Sequence, residues 1–560
     1  MKLRVSVMLF LLVFLVGFVA AGSVSEDRAA LTALYEATGG GSWDDDAGWL
    51  SSSDLGDWFG VETNSAGRVV RIDLRDNNLV GELPPAIGAL DEVKYFNVKH
   101  NYLDGSLPRE IGGMRSLEML LLNGPEGDPS MTRDRHPGKD RTESEQSNRF
   151  PGPLPSEIGE LSNLLHLELL WAGVTEVPAE IGQLSNLLGL HLSRNNLTSF
   201  PAEANNLDNL LTLSLGSNSI SEMPDISGMV SMRHLRLGGN GLSGDVPDVR
   251  FSDDMRIFSA TRNEFDGSFP AWLVDGSLPR LHTISLAWND ITGSFPEDVS
   301  PERLTMLTVD GNSMSGEIPA GFSNAYRIIN FGLGWNDFEG VFPDMSNSHQ
   351  LRYIRARSNR FSGPIPMVDT TNEKLTSLFF QNNEFSGCVN PALAEATDLP
   401  RFRDFELQNN RFHEEELQPL RDALAAKGES GILRDHSQSP TGSPQLCDGD
   451  YEPPEEKEED EKEEEGFDLS AYPSPRSASV SGSYVHVEDT AIWHEGYYSV
   501  DGSSWSAFSL TGESVGEWVV GSAVSKEAVS SSAQYFAVFS CLWQDSGWDC
   551  EDDWQVLEHN

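Results

Sequence analysis

Between residues 67 and 413 one short pattern keeps returning, and that return restricts the chain more than any other feature. Aligned on a single asparagine, its units read IDLRDNNL (72–79), FNVKHNYL (96–103), LHLSRNNL (190–197), ISLAWNDI (284–291), FGLGWNDF (331–338) and FELQNNRF (405–412). Roughly 22 to 27 residues separate one unit from the next, and degenerate members bring the number to about fourteen. At this period each unit is one small supersecondary element that cannot bury its apolar side alone, so the units must stack.

The spacing inside a unit has a physical cause. Apolar residues two apart lie on one face of a short strand, and that face turns into the coil. Each inward Leu or Ile contributes roughly 1.5–3 kcal/mol. The asparagine falls where the chain leaves the strand. There a buried amide can satisfy backbone groups that no ladder reaches. Losing one should cost on the order of 1–3 kcal/mol.

After the strand comes a second signature: LVGELPPAIGAL (79–90), LDGSLPREIGGM (103–114), FPGPLPSEIGEL (150–161) and MSGEIPAGFSNA (314–325). The two together resemble the plant-type leucine-rich-repeat family, whose pattern is L-x-G-x-[IL]-P-x-x-[IL]-G-x-L. The resemblance covers more than half the chain. It implies an α/β solenoid, a horseshoe with short parallel β-strands on its concave face. The entry segment at 30–61 is similar to the family's amino-terminal cap, a helix shielding the first coil. Land-plant members usually carry a cysteine pair there, and this chain has none in that segment.

Flanking segments have other compositions. Residues 5–21 are almost wholly apolar, follow Lys2 and Arg4, and lead to Ala20, Ala21 and Gly22. That makes 1–22 a secretory signal peptide, with an uncleaved anchor helix as the alternative. The cap is expected over 23–66 and the solenoid over 67–433, with a polar, breaker-rich insertion at 124–147 that reads as a loop. LQPLRDALAAKG (417–428) reads as a closing helix. The Pro-rich, acidic stretch 434–475 reads as a disordered linker. Residues 476–560 are rich in Ser, Gly, Val and aromatics and read as a small all-β sandwich module.

Charge bears on partners. The formal net charge is -48, a balance that repels nucleic acid and anionic lipid. No second apolar run follows the first, so no membrane span is expected after signal removal. Four cysteines follow it, Cys388, Cys447, Cys541 and Cys550. An even number in an exported chain suggests disulfides. Three pairings are open; Cys541 with Cys550 and Cys388 with Cys447 is the expected one.

Side chains between and flanking the two apolar strand positions face the concave side and are free to carry specificity. Among them His191, His234, Arg236, Tyr353, Arg355 and Arg357 form a locally positive lane on an acidic chain. Trp288 and Trp335, like Trp171, precede the asparagine slot at the lip of the strand. Arginine and aromatic residues are what binding hot spots favour. The competing readings are arginines paired with neighbouring carboxylates and tryptophans packed on the next coil. His166, His191 and His234 fall on nearby strands without the ligand order of a metal site. Asn196-Leu197-Thr198 fits a glycosylation acceptor.

No catalytic constellation is evident: there is no H-E-x-x-H, Walker loop, G-x-S-x-G or paired C-x-x-C. The chain is therefore expected to be a secreted or cell-surface recognition or adhesion protein, not an enzyme and without cofactors, gripping an extracellular protein or polysaccharide. The alternatives are a structural surface component, or carbohydrate binding by the C-terminal module with the solenoid as spacer.

Overall fold

The computed structural model describes residues 22–123, 148–428 and 432–440, together with the backbone of seven strands between 486 and 558. The signal segment, the insertion and nearly all of the acidic linker lie outside the described residues. No helix among the described residues is long and apolar enough to cross a membrane. The chain divides into two units, Met1–Arg233 with Asn240–Leu242, and His234–Gly239 with Ser243–Asn560.

In the first unit the apolar pattern becomes inner strands at Val69–Asp73, Tyr95–Asn97, Met119–Leu121, His166–Glu168, Gly189–His191 and Thr212–Ser214. They pair in parallel and in register. That register sets Ile72, Phe96, Leu120, Leu167, Leu190 and Leu213 in one buried row, with a second row two residues on from Leu74 to Leu215. A shift of one residue would turn both rows to solvent, so the apolar pattern fixes the register. Val61–Thr63 adds an antiparallel strand to Val69–Asp73, with a bulge between Glu62 and Thr63.

The first coil is covered by α1, Val24–Ala37, capped by the Ser23 side chain. Its buried Asp27 accepts from Arg68 Nε at 2.8 Å and from the Val69 amide at 2.9 Å. Trp43, Trp49, Trp58 and Tyr35 cluster beneath the helix, with neighbouring ring centroids 4.7 to 5.8 Å apart. Aromatic packing of this kind holds the segment without a cysteine pair.

On the outer side of this unit each coil turns through a short 3-10 helix started by a proline: Pro85–Ala89, Arg109–Gly113, Ser156–Glu160, Ala179–Gln183 and Ala202–Asn206. The glycine after the isoleucine in this turn is needed for coil-to-coil approach. A Cβ on Gly112 would sit 2.6 Å from the Glu157 carbonyl oxygen, and one on Gly159 2.6 Å from that of Glu180.

The second unit repeats the plan with inner strands at His234–Arg236, Ile257–Ser259, Thr283–Ser285, Met306–Thr308, Asn330–Gly332, Tyr353–Arg355, Ser377–Phe379, Asp404–Glu406 and Leu433–Arg434. They too are parallel and in register. A second parallel sheet runs behind them through Thr292–Gly293, Ser313–Glu317, Asp337–Val341, Arg360–Gly363 and Glu384–Phe385. Phenylalanines two residues after the asparagine stack between coils, Phe338 on Phe361 at 6.1 Å and Phe361 on Phe385 at 6.0 Å.

The asparagines form the expected hydrogen-bonded row. Asn195 Oδ1 accepts from the amides of Ala172 and Val174, and its Nδ2 donates to the carbonyls of Leu169 and Leu192. One side chain thus bridges two coils, and Asn312, Asn336, Asn359, Asn383 and Asn410 do the same. The row continues to Gln438, whose amide donates to the Leu407 carbonyl and whose oxygen accepts from the Asn410 amide. Helix α2, Glu414–Lys427, ends on the left-handed Gly428.

Beyond the linker, His486–Glu488, Trp518–Ser522, Trp505–Val515, Trp493–Ser499, Tyr535–Gln544 and Gly547–Asp549 pair side by side as an antiparallel sheet, with Gln555–Glu558 on Tyr535–Val538. Cys388 is disulfide-bonded. Cys447 and Cys550 lie outside the described residues, and only the backbone of Cys541 is described.

Candidate functional site

Each coil of the asparagine row needs a reversal just before its asparagine, and the chain makes it with a left-handed residue. Asp76, His100, Arg194, Ser217, Arg262, Trp288, Trp335, Ser358, Asn382 and Asn409 all have φ between 52° and 61° and precede ladder asparagines. Gly239 and Gly311 fill the same position in two other coils. Left-handed backbone throws the side chain out at the lip of the strand. This explains why Trp288 and Trp335 are 45% and 39% exposed while Ala287, Asn289 and Gly334 beside them are buried.

In the second unit the lip and the inner face meet in a groove of about 480 Å3. Trp288 and Trp335 form its rim with ring centroids 5.3 Å apart. Tyr353, Arg355 and Arg357 line one side, Thr308 and Asp310 the other, and Phe379, Arg403 and Asp404 continue it. Five of the binding residues expected from sequence are therefore brought together: Trp288, Trp335, Tyr353, Arg355 and Arg357. His191, His234 and Arg236 are placed elsewhere and do not line it.

Arg357 is held in place by aromatic rings. Its guanidinium carbon lies 3.9 Å from the Trp335 centroid and 5.6 Å from that of Phe379. Its Nε is buried and has no hydrogen-bond partner among the described residues. Burial pushes the guanidinium below its ordinary pKa, with the nearby Asp310 charge acting in the other direction.

Asp310 lines the same groove and was not among the binding residues expected from sequence. It is only 3% exposed. Its Oδ1 accepts from the Gly334 amide at 3.0 Å, while Oδ2 is buried without a partner among the described residues. Burial raises the carboxyl to about 6, with Arg355 and Arg357 pulling it back. The space it occupies exists because the next coil carries Gly332 and Gly334 at its two inward-open positions. A Cβ at 332 would overlap Asp310 Oδ2, and one at 334 would lie 3.1 Å from Oδ1 and 3.2 Å from Arg357 Cγ. The signal was in the sequence as FGLGWND, the repeat whose two specificity positions are both glycine.

The inner face of the first unit is different. There Lys99, His166, Glu168 and His191 are all buried. Lys99 Nζ reaches Glu168 Oε2 at 3.3 Å, and Asn123 Nδ2 donates to the same oxygen at 2.9 Å. His166 pairs with Gly189, the strand partner that adds no side chain of its own. Burial, and then the neighbouring His191, holds the His166 imidazole down at about 3. Among the described residues no group of three or more His, Cys, Asp or Glu side chains is placed to hold a metal ion.

Family models titled leucine-rich repeat match residues 185–242 and 68–90. Among curated proteins, phytosulfokine receptor 1 of Arabidopsis thaliana is 36% identical over 81 residues, 14% of this chain and 8% of the receptor. Receptor-like kinase TMK4 of the same plant is 32% identical over 101 residues, 18% of this chain and 10% of the kinase. The matched stretches thus span about a tenth of those relatives. Among solved structures, PEPR1 with AtPEP1 aligns with a TM-score of 0.54 at 22% identity, over 69% of this chain and 56% of that one. The Arabidopsis receptor kinase HAESA, in complex with the peptide hormone IDA and the co-receptor SERK1, aligns at 0.52 and 22%, over 69% and 70%. At this identity the likeness is one of fold. With the matches and the stacked coils together, the chain carries leucine-rich repeats folded as a solenoid.

Proposed function

We propose that this chain is an extracellular recognition protein that binds a protein partner through the groove on the inner face of its second unit. The carrying observation is the arrangement at Arg357: a guanidinium fixed by Trp335 and Phe379, beside Arg355 and Tyr353, at the edge of an open groove. Fixed arginine and half-exposed tryptophan are the residue types in which binding energy concentrates. A side chain already immobilised loses less entropy when a partner arrives. The solved structure of HAESA, a protein of similar fold, holds a peptide hormone and a co-receptor, which favours a polypeptide over other ligands.

The reading extends to the rest of the chain. The apolar segment at 5–21 serves export, and the mature protein acts outside the cell or on its surface. Cys388 pairs with Cys447 at the end of the solenoid, and Cys541 with Cys550 in the module. The seven antiparallel strands of the C-terminal segment fold as a small β sandwich. His191, His234 and Arg236 serve partner binding only as supports of neighbouring coils.

A photo-crosslinking residue at Thr308, in the groove, and another at Glu339, on the outer sheet, test the reading in the native extracellular fluid. A partner should be captured from position 308 and not from 339. Arg355→Ser with Arg357→Ser should lower that capture at least tenfold. Equal capture from both faces, or capture indifferent to the arginines, would end the proposal.

A further inference from the structure

Asp310 stands out in the groove because it carries a charge where a partner-binding surface has two fixed arginines. It does not form a contact ion pair with Arg357 among the described residues. The two face each other across Gly334, whose added Cβ would touch Asp310 Oδ1 and Arg357 Cγ alike. The carboxylate therefore offsets the arginine field from a short distance while leaving Arg357 Nε without an acceptor. Its own Oδ2 has no donor among the described residues. A buried carboxylate with one hydrogen bond, and a half-buried guanidinium whose buried Nε–H has no acceptor among the described residues, both sit above their lowest free energy.

We propose that Asp310 is the groove's own counter-anion, and that an anionic group of the partner takes over Arg355 and Arg357 as Asp310 binds a proton. The inference rests on the groove being the ligand surface, and adds what the ligand must carry and how its binding is regulated. An anion entering beside the arginines meets the positive charge that Asp310 otherwise offsets. It also places a like charge near Asp310, which disfavours the ionised carboxylate. The proton comes from solvent, and it neutralises a group whose burial already brings it to about 6. Binding and protonation then help each other, and by linkage the anion binds more tightly in acid.

The charged groups around Asp310 leave it in command of this behaviour. From the strand Tyr353–Arg355 and its exit come Arg355 and Arg357, and the phenol of Tyr353. Farther along the groove come Arg403 and Asp404, and Glu406 acts on Arg357 from the second strand on. Arg262 approaches from the opposite end. The coil between Asp310 and the arginines places Gly332, Gly334 and the uncharged Trp335 there, and the coil before that of Asp310 places Ser285 and Trp288.

Calorimetry on the full chain tests this with inorganic sulfate and with oxalate as probes, one a sulfate and one a carboxylate source. Both should bind about tenfold more tightly at pH 5 than at pH 7. In buffers of different ionisation enthalpy, nearly one proton should be taken up per anion at pH 7 and almost none at pH 5. Asp310→Asn keeps the shape and the Gly334 contact. It should bind at the low-pH affinity throughout and take up no proton. Glu339→Gln, on the outer sheet, should behave as the parent chain. A preference for one probe tells which anion the groove fits. No binding of either probe, or the same pH slope in Asp310→Asn, overturns the proposal. If that slope is absent while partner capture still depends on Arg355 and Arg357, the groove remains the recognition surface and only the coupling falls.

Discussion

Arg357 and Trp335 stand 22 residues apart in sequence and are brought face to face by adjacent coils, with the guanidinium carbon 3.9 Å from the indole centroid. Trp335 reaches this place because its backbone is left-handed, at φ 52°. The contact is worth roughly 0.5–2 kcal/mol at a partly desolvated site. Trp335→Leu should therefore lower stability by about that much. It should weaken partner capture more than tenfold, since Arg357 loses its anchor. Arg357→Ser removes the same contact, so it should lower stability by a similar amount and shift the Trp fluorescence. Denaturant unfolding with emission spectra reads both variants, and an Arg357→Ser chain as stable as the parent with unchanged emission would count against the anchoring role.

How much of this could be read beforehand depends on which constraint the residue answers to. The rows Ile72 to Leu213 and Leu235 to Phe405 must be buried whatever else happens, so their two-residue period is plain in the sequence. The asparagine is equally legible, because few side chains can donate and accept for two coils at once. The left-handed residue before it is not, since that position holds Asp, His, Trp, Arg, Ser, Asn and Gly in different coils. What it answers to is a backbone angle, and side-chain type shows that only when it is glycine. The groove was half legible: Arg355, Arg357 and the tryptophans were visible as residue types. The space for Asp310 depends on two missing side chains, Gly332 and Gly334, and a pattern search weighs what is present. That His191 is buried could not be read beforehand, because burial of an inner-face side chain depends on how closely its neighbours pack.

The asparagine row predicts a contrast between adjacent residues. Asn195 is buried and holds four backbone groups of two coils, while Asn196 is exposed. Asn195→Ala should cost on the order of 1–3 kcal/mol for each amide or carbonyl left unsatisfied in the interior. Asn196→Ala should stay within about 0.5 kcal/mol. Urea titrations of the two variants check this, and similar midpoints would mean the row does not carry the stacking.

The left-handed positions make a prediction of the opposite sign. Ser217 sits at φ 55° with an exposed side chain, in a position where Gly239 and Gly311 show what the backbone prefers. Left-handed geometry costs an L-residue roughly 1–2 kcal/mol, and glycine gives back roughly 0.5–1 kcal/mol in unfolded-chain entropy. Ser217→Gly should then stabilise by about 0.5 kcal/mol, and Ser217→Val should destabilise. Thermal melts of both would decide it; a lower midpoint for the glycine variant would contradict the strain.

The buried charge that anchors α1 should be intolerant of change. Asp27 is fully buried against Arg68, and the pairing holds the arginine's pKa above its ordinary value. Removing one partner of a buried pair typically costs about 3–5 kcal/mol, because the other charge is left unpaired. Asp27→Asn should show that loss and speed amide exchange in Val69–Asp73 ahead of the later coils. Uniform exchange along the unit would mean the helix is not what protects the first coil.

Two buried groups push stability with pH in opposite directions. His166 is held at about 3, below its ordinary 6.5, so the folded chain binds fewer protons than the unfolded one. The stability it depends on is complete above pH 6.5 and is lost as pH falls toward 3. Asp310 is raised to about 6 from 3.8, so the folded chain binds more protons there. Stability from this group is greatest below pH 3.8 and is lost as pH rises to about 6, a swing of roughly 3 kcal/mol by its shift. His166→Gln should therefore flatten the acid limb of the stability profile between pH 6.5 and 3. Asp310→Asn should gain stability over the parent at pH 7.5 and show no gain at pH 3.5. Profiles from chemical denaturation at several pH values test both, and a gain for Asp310→Asn that does not grow with pH would show that its carboxyl is not desolvated.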